Sequence, residues 1–375
     1  MLAIQSLEQG PITHAAIDAF LETREFPLVE DRAVTFVFRG SATEVHLVHW
    51  IHGLESEQAF QRLRNTDLWY LTLDLPRRSR VEYKFAVAHG RHRQLVCDPL
   101  NHRLARDPFG ANSVVHGALY EEPAWVHPEP DVRTGELRDL RITGQSLGER
   151  TVQVYLPARF RSTRRYPLLI AHDGRDYVQF AALKTVLDNL IHRLELPPLI
   201  AVLTNADDRM HEYAADPRHT DFIARDVLPQ VEAAFPLVRE PAARCLMGAS
   251  FGGVAALSTA WRNPGVFGRL LLQSGSFMFT DIGRHEGGPV WDPVVEFVNA
   301  FRRAPGKPSE RVFMTCGVYE GLIYYNRSLV PLLQDTGMDV RFREAHDGHN
   351  WENWRDRLRE GLSWLFPGPL WMVYE

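Results

Sequence analysis

Beyond about residue 138 the chain alternates short, almost wholly apolar runs with amphipathic stretches, and this rhythm limits the fold more than any other feature. "RTVQVYLPARF", "YPLLIAHDG" (166–174), "PLIAVLTNA" (198–206), "ARCLMGAS", "FGRLLLQSGSF" (267–277), "RVFMTCGV" (311–318) and "DVRFREA" read as strands. Between and after them, "FAALKTVLDNLIHRL" (180–194), "DFIARDVLPQVEAAF" (221–235), "FGGVAALSTAWRNP", "NRSLVPLLQDTGM" (326–338) and "NWENWRDRLREGLSWLF" (350–366) read as helices. Strands that are apolar on both sides and separated by helices predict a largely parallel sheet covered on both faces, the α/β class.

Upstream the period shortens. "AVTFVFRG" (33–40), "TEVHLVHWI" (43–51), "LWYLTLDLP" (68–76) and "RVEYKFAVAHG" (80–90) alternate apolar and polar residues between turns, the mark of half-buried antiparallel strands. They predict a small β-sandwich of immunoglobulin-like type over residues 1–120, preceded by a helix at 13–23. "DPLNHRLARDPFGANSVVHG" (98–117) reads as an irregular connector. The Pro- and acid-rich segment 121–137 reads as a linker, which leaves 138–375 as the second domain.

Composition bounds the function. With 42 basic against 47 acidic residues the net charge is −5, so a general nucleic-acid binder is not expected. Cys97, Cys245 and Cys316 are far apart with no metal-ligand spacing, which predicts buried thiols in a reducing compartment. The N-terminus lacks a basic region followed by an apolar one, and no segment approaches membrane-spanning length. A soluble cytoplasmic protein with no nucleic-acid or membrane partner is the expectation.

The stretch "MGASFGG" (247–253) places Ser250 between an apolar strand and a helix, inside the pattern Gly-x-Ser-x-Gly. That is the setting of a nucleophile elbow, where a tight strand-to-helix turn presents the hydroxyl. A serine hydroxyl needs a base to take its proton, and the base needs a carboxylate to orient it and stabilise its charged form. In α/β-hydrolase order the acid follows the serine and the histidine comes last. Glu320, in the loop after "TCGV", is the candidate acid. Asp335 lies in a helix, Asp339 precedes a strand, and Asp347 is a further acid nearby. His349 in "AHDGHNWENW" is the candidate base, with Gly348 before it to permit a tight loop, and His346 reads as structural or as a pocket wall. The developing oxyanion needs two backbone N–H donors. Those of Phe251, directly after the nucleophile, and of Arg175, in the loop "AHDGRDY" (171–177), are the candidates. Asp173 reads as fixing its own turn.

Taken together, "AHDGRDY", "MGASFGG", "LLQSGSF", "CGVYEGLIYYNRSLVPLL" and "DGHNWENWR" resemble the enterochelin (ferric enterobactin) esterase family, in the putative-esterase branch of the α/β hydrolases. The resemblance covers most of 138–366 and extends upstream through "VTFVFRG", "TDLWYLTLDLP" and "CDPLN", which are similar to that family's N-terminal domain. It implies a serine esterase with Ser250, His349 and Glu320 as its triad and no cofactor or catalytic metal. The implied substrate is a small-molecule ester, a catecholate siderophore whose tri-serine lactone is opened to release iron. Esterases of feruloyl or other carbohydrate-linked acyl groups share the core motifs and form the alternative. A flat, anionic iron–catecholate would suit Arg and Trp near the site. Arg209, Trp351 and Arg355 are the candidates for substrate binding, while Trp354 reads as packing the last helix.

Overall fold

The computed structural model describes residues 1–64, 66–280, 285 and 287–369. The chain forms two compact units. One comprises Met1–Glu122 with Gly317–Gly321 and Ala345–Asn350; the other comprises Pro123–Cys316, Leu322–Glu344 and the residues from Trp351 on.

The larger unit is built on an eight-stranded sheet. In chain order its strands are β1 (Glu136–Thr143), β2 (Glu149–Leu156), β3 (Leu168–Ala171), β4 (Ile200–Leu203), β5 (Arg244–Ala249), β6 (Arg269–Gln273), β7 (Arg311–Gly317) and β8 (Asp339–Ala345). Their spatial order is β1-β2-β4-β3-β5-β6-β7-β8. The ladders β1–β2 and β2–β4 are antiparallel, and those from β4 through β3, β5 and β6 to β7 are parallel. Continuous apolar runs are explained by cover on both faces. Leu168 and Ile170 of β3 point into one core, with Phe222, Val254 and Leu329, while Leu169 and Ala171 point into the other, with Leu187, Leu358 and Leu362. The helix Phe251–Arg262 follows β5 with a single residue, Ser250, between them.

The smaller unit contains two antiparallel sheets. One runs Leu28–Glu30, Ala33–Arg39, Leu68–Asp74, Gln61–Arg62; the other centres on Arg80–His89, flanked by Glu44–His49 and Gly110–His116. Val34 and Phe36 of the first sheet share a core with Leu47, Tyr83 and Phe85 of the second. Val37 points the other way, into a cluster with Ile17 and Phe20 of the helix His14–Glu22.

Three local expectations differ from what is observed. The segment 98–117, read as irregular, contains the strands Leu104–Asp107 and Gly110–His116, paired with each other. The segment 121–137, read as a linker, buries Trp125 and Val126 in the larger unit's core. Asn189 there donates to the carbonyls of Trp125 and His127, at 2.9 and 2.8 Å. Cys245 and Cys316 are buried as expected, whereas Cys97 is only half-buried.

Candidate active site

The sequence around Ser250 folds as the elbow pattern requires. Ser250 has φ 58° and ψ −123°, a region that L-residues occupy only when their surroundings impose it. Its N–H donates to the Gln273 carbonyl at 2.9 Å, and its carbonyl accepts from Gly253 at 3.0 Å and Ser276 at 3.1 Å. The turn is tight enough to demand glycine at 248, where a Cβ would lie 2.2 Å from the Gly252 carbonyl oxygen. The Ser250 hydroxyl lies 3.2 Å from that of Ser276, itself buried. Phe251 opens the helix, so its amide belongs to the first turn and has no intrahelical acceptor. That amide and the serine share one helix N-terminus, whose partial positive charge favours developing negative charge.

The loop after β3 lies beside this turn. Asp173 adopts the left-handed conformation, φ 53° and ψ 39°, so the sharp bend falls on the aspartate. Its carboxylate takes both Nε (2.9 Å to each oxygen) and Nη2 (2.7 Å) of Arg209, and the same guanidinium donates to the Ala249 carbonyl at 3.4 Å. The Asp173 amide donates to the Tyr213 hydroxyl at 3.2 Å. The Arg175 amide donates to Asn205 Oδ1 at 3.2 Å, so this candidate oxyanion donor already has an acceptor to exchange.

Beneath that loop His172 is fully buried between the rings of Tyr213 and His219, each centroid 5.2 Å away, with Nδ1 3.0 Å from the Met247 carbonyl. Burial, reinforced by the neighbouring His219, pushes its imidazole down to about 3. It is held neutral, a packing group under the turn.

In the smaller unit the candidate acid and base meet. His349 Nδ1 donates to Glu320 Oε2 at 2.6 Å, and Glu320 Oε1 accepts the Gly317 N–H at 2.8 Å. Glu320 is 4% exposed. A buried carboxylate on Nδ1 fixes the tautomer that leaves Nε2 to accept a proton, the role an orienting acid performs. The sterically demanding glycine is Gly317, where a Cβ would meet the Asp347 carbonyl oxygen at 2.2 Å; Gly348 has ordinary space.

Each of the three substrate-binding candidates has partners within the protein. The Arg209 guanidinium is committed to Asp173. Trp351 is buried, its ring edge-on to Tyr177 at 5.2 Å and to Trp354 at 4.8 Å. Arg355 is 8% exposed, with Nε on Asp356 at 2.9 Å. Residue type marked these positions, but the helical face that carries Trp351 and Arg355 points inward. Trp354, read as packing, does pack, and donates its indole N–H to Ser274 Oγ at 2.9 Å. Ser276, beside the Ser250 hydroxyl, and Asn205, on the Arg175 amide, have no sequence signature, because a lone Ser or Asn after a strand carries no periodic signal. Among the described residues no group of three or more His, Cys, Asp or Glu side chains is placed to hold a metal ion. No described helix is long and apolar enough to cross a membrane.

Residues 144–365 match the family described as putative esterase, and residues 33–125 match the N-terminal domain of enterochelin esterase. The iron(III) enterobactin esterase of Escherichia coli O6:H1 is 26% identical over 341 residues, 83% of this chain and 82% of its own length. The ferric enterobactin esterase structure from Salmonella typhimurium aligns over 93% of this chain and 98% of its own, with a TM-score of 0.76 at 23% identity. The Shigella flexneri enterobactin esterase, solved in the presence of enterobactin, covers 93% of this chain and 97% of its own, with a TM-score of 0.73 at 23% identity. These structural likenesses identify the fold as that of the α/β esterases.

Proposed function

Because the chain belongs to the putative esterase family, we propose that it is a serine esterase hydrolysing the ester or lactone bonds of a catecholate siderophore of the ferric enterobactin type. Ser250 is the nucleophile, His349 the general base and Glu320 the acid that orients it. The observation that carries the reading is the strained strand-to-helix turn at Ser250, supported by the hydrogen-bonded pair of His349 with a buried Glu320.

The chemistry runs in two halves. Ser250 Oγ attacks the ester carbonyl while His349 Nε2 takes its proton, and the resulting imidazolium is stabilised by the Glu320 carboxylate on Nδ1. The tetrahedral oxyanion is met by the amide of Phe251 and by that of Arg175 as it leaves Asn205. His349 returns the proton to the departing serine alkoxide of the substrate, and an acyl-enzyme remains. Water, deprotonated by His349, then releases the acid. Repeated on each ester of a tri-serine lactone, this destroys the chelate, and the bound iron leaves with weakened ligation. Iron is thus part of the substrate.

The N-terminal unit belongs to this reading as a module of immunoglobulin-like type over residues 1–120, with the catalytic domain over 138–375. The cytoplasm, where such a siderophore would be opened, is the proposed place of action. The test is a substrate panel at matched concentration. Ferric enterobactin should be turned over with a higher kcat/KM than feruloyl or acetyl sugar esters. Turnover of the sugar esters alone would overturn the siderophore assignment and favour the acyl-carbohydrate alternative.

A further inference from the structure

The loops that carry Glu320 and His349 belong to the same compact unit as the N-terminal sheets. Tyr319 is buried in the core shared by Phe36, Leu47, Tyr83 and Phe85. Its carbonyl accepts the His52 N–H at 2.8 Å, and the His346 carbonyl accepts the Arg80 N–H at 2.9 Å. The most constrained group here is the Arg80 side chain, 1% exposed although it comes from an antiparallel strand of that unit. Its Nη1 donates to Asn350 Oδ1 at 3.0 Å and to Asp347 Oδ1 at 3.3 Å, and its Nη2 donates to Glu82 Oε1 at 3.1 Å. Asp347 Oδ1 also accepts from the Gly348 amide at 2.7 Å and from Asn350 Nδ2 at 2.9 Å. One guanidinium therefore grips the chain on both sides of His349.

Stability alone is a poor reason for this arrangement, since replacing a buried ion pair by apolar groups of similar volume is often neutral or stabilising. Geometry is a better one. A planar fork with fixed donors can hold three acceptors in one relative arrangement, which a lysine ammonium cannot. We propose that Arg80 is a positioning residue of the esterase reaction, holding loop 347–350 so that the His349 ring stays seated on Glu320. The inference rests on the assignment of His349 as base. It gives the N-terminal unit a part in catalysis: a side chain about 270 residues upstream sets the pose of the proton carrier.

The experiment compares Arg80→Met, Arg80→Lys and Asn350→Ala with the wild type and with Ser250→Ala and His349→Ala. It measures kcat and KM on ferric enterobactin and on a p-nitrophenyl ester, together with the far-downfield proton resonance of the His349 Nδ1–H. Arg80→Met should lower kcat by about 100-fold, the scale of a displacement of about 1 Å at a reacting group, with KM little changed and the downfield proton lost to exchange. Arg80→Lys should recover part of kcat. If Arg80→Met does not fold, Asn350→Ala removes one of the gripped partners without stranding a charge, and it should lower kcat and broaden the same resonance. A folded Arg80→Met or Asn350→Ala protein with wild-type kcat and an unchanged downfield proton would overturn the positioning role while leaving the triad intact. Full turnover by Ser250→Ala or His349→Ala would instead remove the triad assignment on which it stands.

Discussion

At Ser250 the backbone holds a conformation that costs on the order of 1–3 kcal/mol, and three hydrogen bonds, with the next strand, the segment just after it and the helix, keep it there. The two glycines of the motif contribute unequally. A methyl at 248 would press into the Gly252 carbonyl at 2.2 Å, whereas one at 252 would meet the Asp173 carboxylate and His172 Cβ at 3.4 Å, an ordinary contact. Gly248→Ala should therefore destabilise by about 2–3 kcal/mol, the upper part of the range for overpacking, and lose most activity. Gly252→Ala should unfold within about 1 kcal/mol of the wild type. Chemical denaturation of both variants checks this, and equal effects would contradict the asymmetry. The Gly-x-Ser-x-Gly pattern was legible because its meaning is local: one strand, one residue, one helix. The candidate acid Glu320 and candidate base His349 rest on chain order alone, and the 2.6 Å hydrogen bond between them is a fact of folding that no spacing encodes. The surroundings of Arg209, Trp351 and Arg355 could not be read, because residue type says what a side chain can bind and nothing about which way it points.

Among the elements, the segment 205–213 is tied down by charge. Glu212 accepts a bidentate pair from Arg150 of β2 at 2.6 and 2.8 Å, together with the amides of Asp207 and Asp208 at 3.2 and 3.1 Å. This support holds Arg209 against Asp173, and through Asp173 the loop beside Ser250. Just beneath it, the neutral His172 makes the larger unit acid-sensitive. Its folded pKa, near 3, lies below the ordinary imidazole value of about 6.5. Between these values the unfolded chain binds the additional proton, so this contribution to stability is complete above about pH 6.5 and is lost as pH falls toward 3. The thermal midpoint of the wild type should drop as pH is lowered from about 6.5 to about 4. His172→Gln should flatten that slope even though its midpoint at neutral pH is lower; an unchanged slope would contradict the assignment. Element legibility followed periodicity. Strands β3 to β7 announced themselves as apolar runs. Leu104–Asp107 and Gly110–His116 were hidden because Pro, Gly and Asn punctuate the segment, and the pairing that makes them strands is tertiary. Residues 34–37, in a segment read as alternating, are buried on both sides, since the helix His14–Glu22 packs against Val37 on the face that the pattern leaves to solvent.

For the molecule as a whole, residues 144–365 match the putative esterase family and residues 33–125 match the N-terminal domain of enterochelin esterase, so each unit has its own family match. The proposed acid and base, Glu320 and His349, are grouped with the N-terminal sheets, while Ser250 follows a strand of the large sheet. The proposed nucleophile therefore belongs to one unit and the proposed acid and base to the other. Nothing in composition or local pattern indicates that division, because it arises from loops 317–321 and 345–350 being carried back to strands more than 200 residues earlier. The most direct measurement is peptide mass spectrometry of the full-length protein treated with a fluorophosphonate, run beside ferric enterobactin hydrolysis. The account predicts a single adduct on Ser250, loss of labelling and of turnover in Ser250→Ala, and strongly slowed labelling in His349→Ala. An adduct elsewhere, or a Ser250→Ala protein that hydrolyses the siderophore at the wild-type rate, would contradict it.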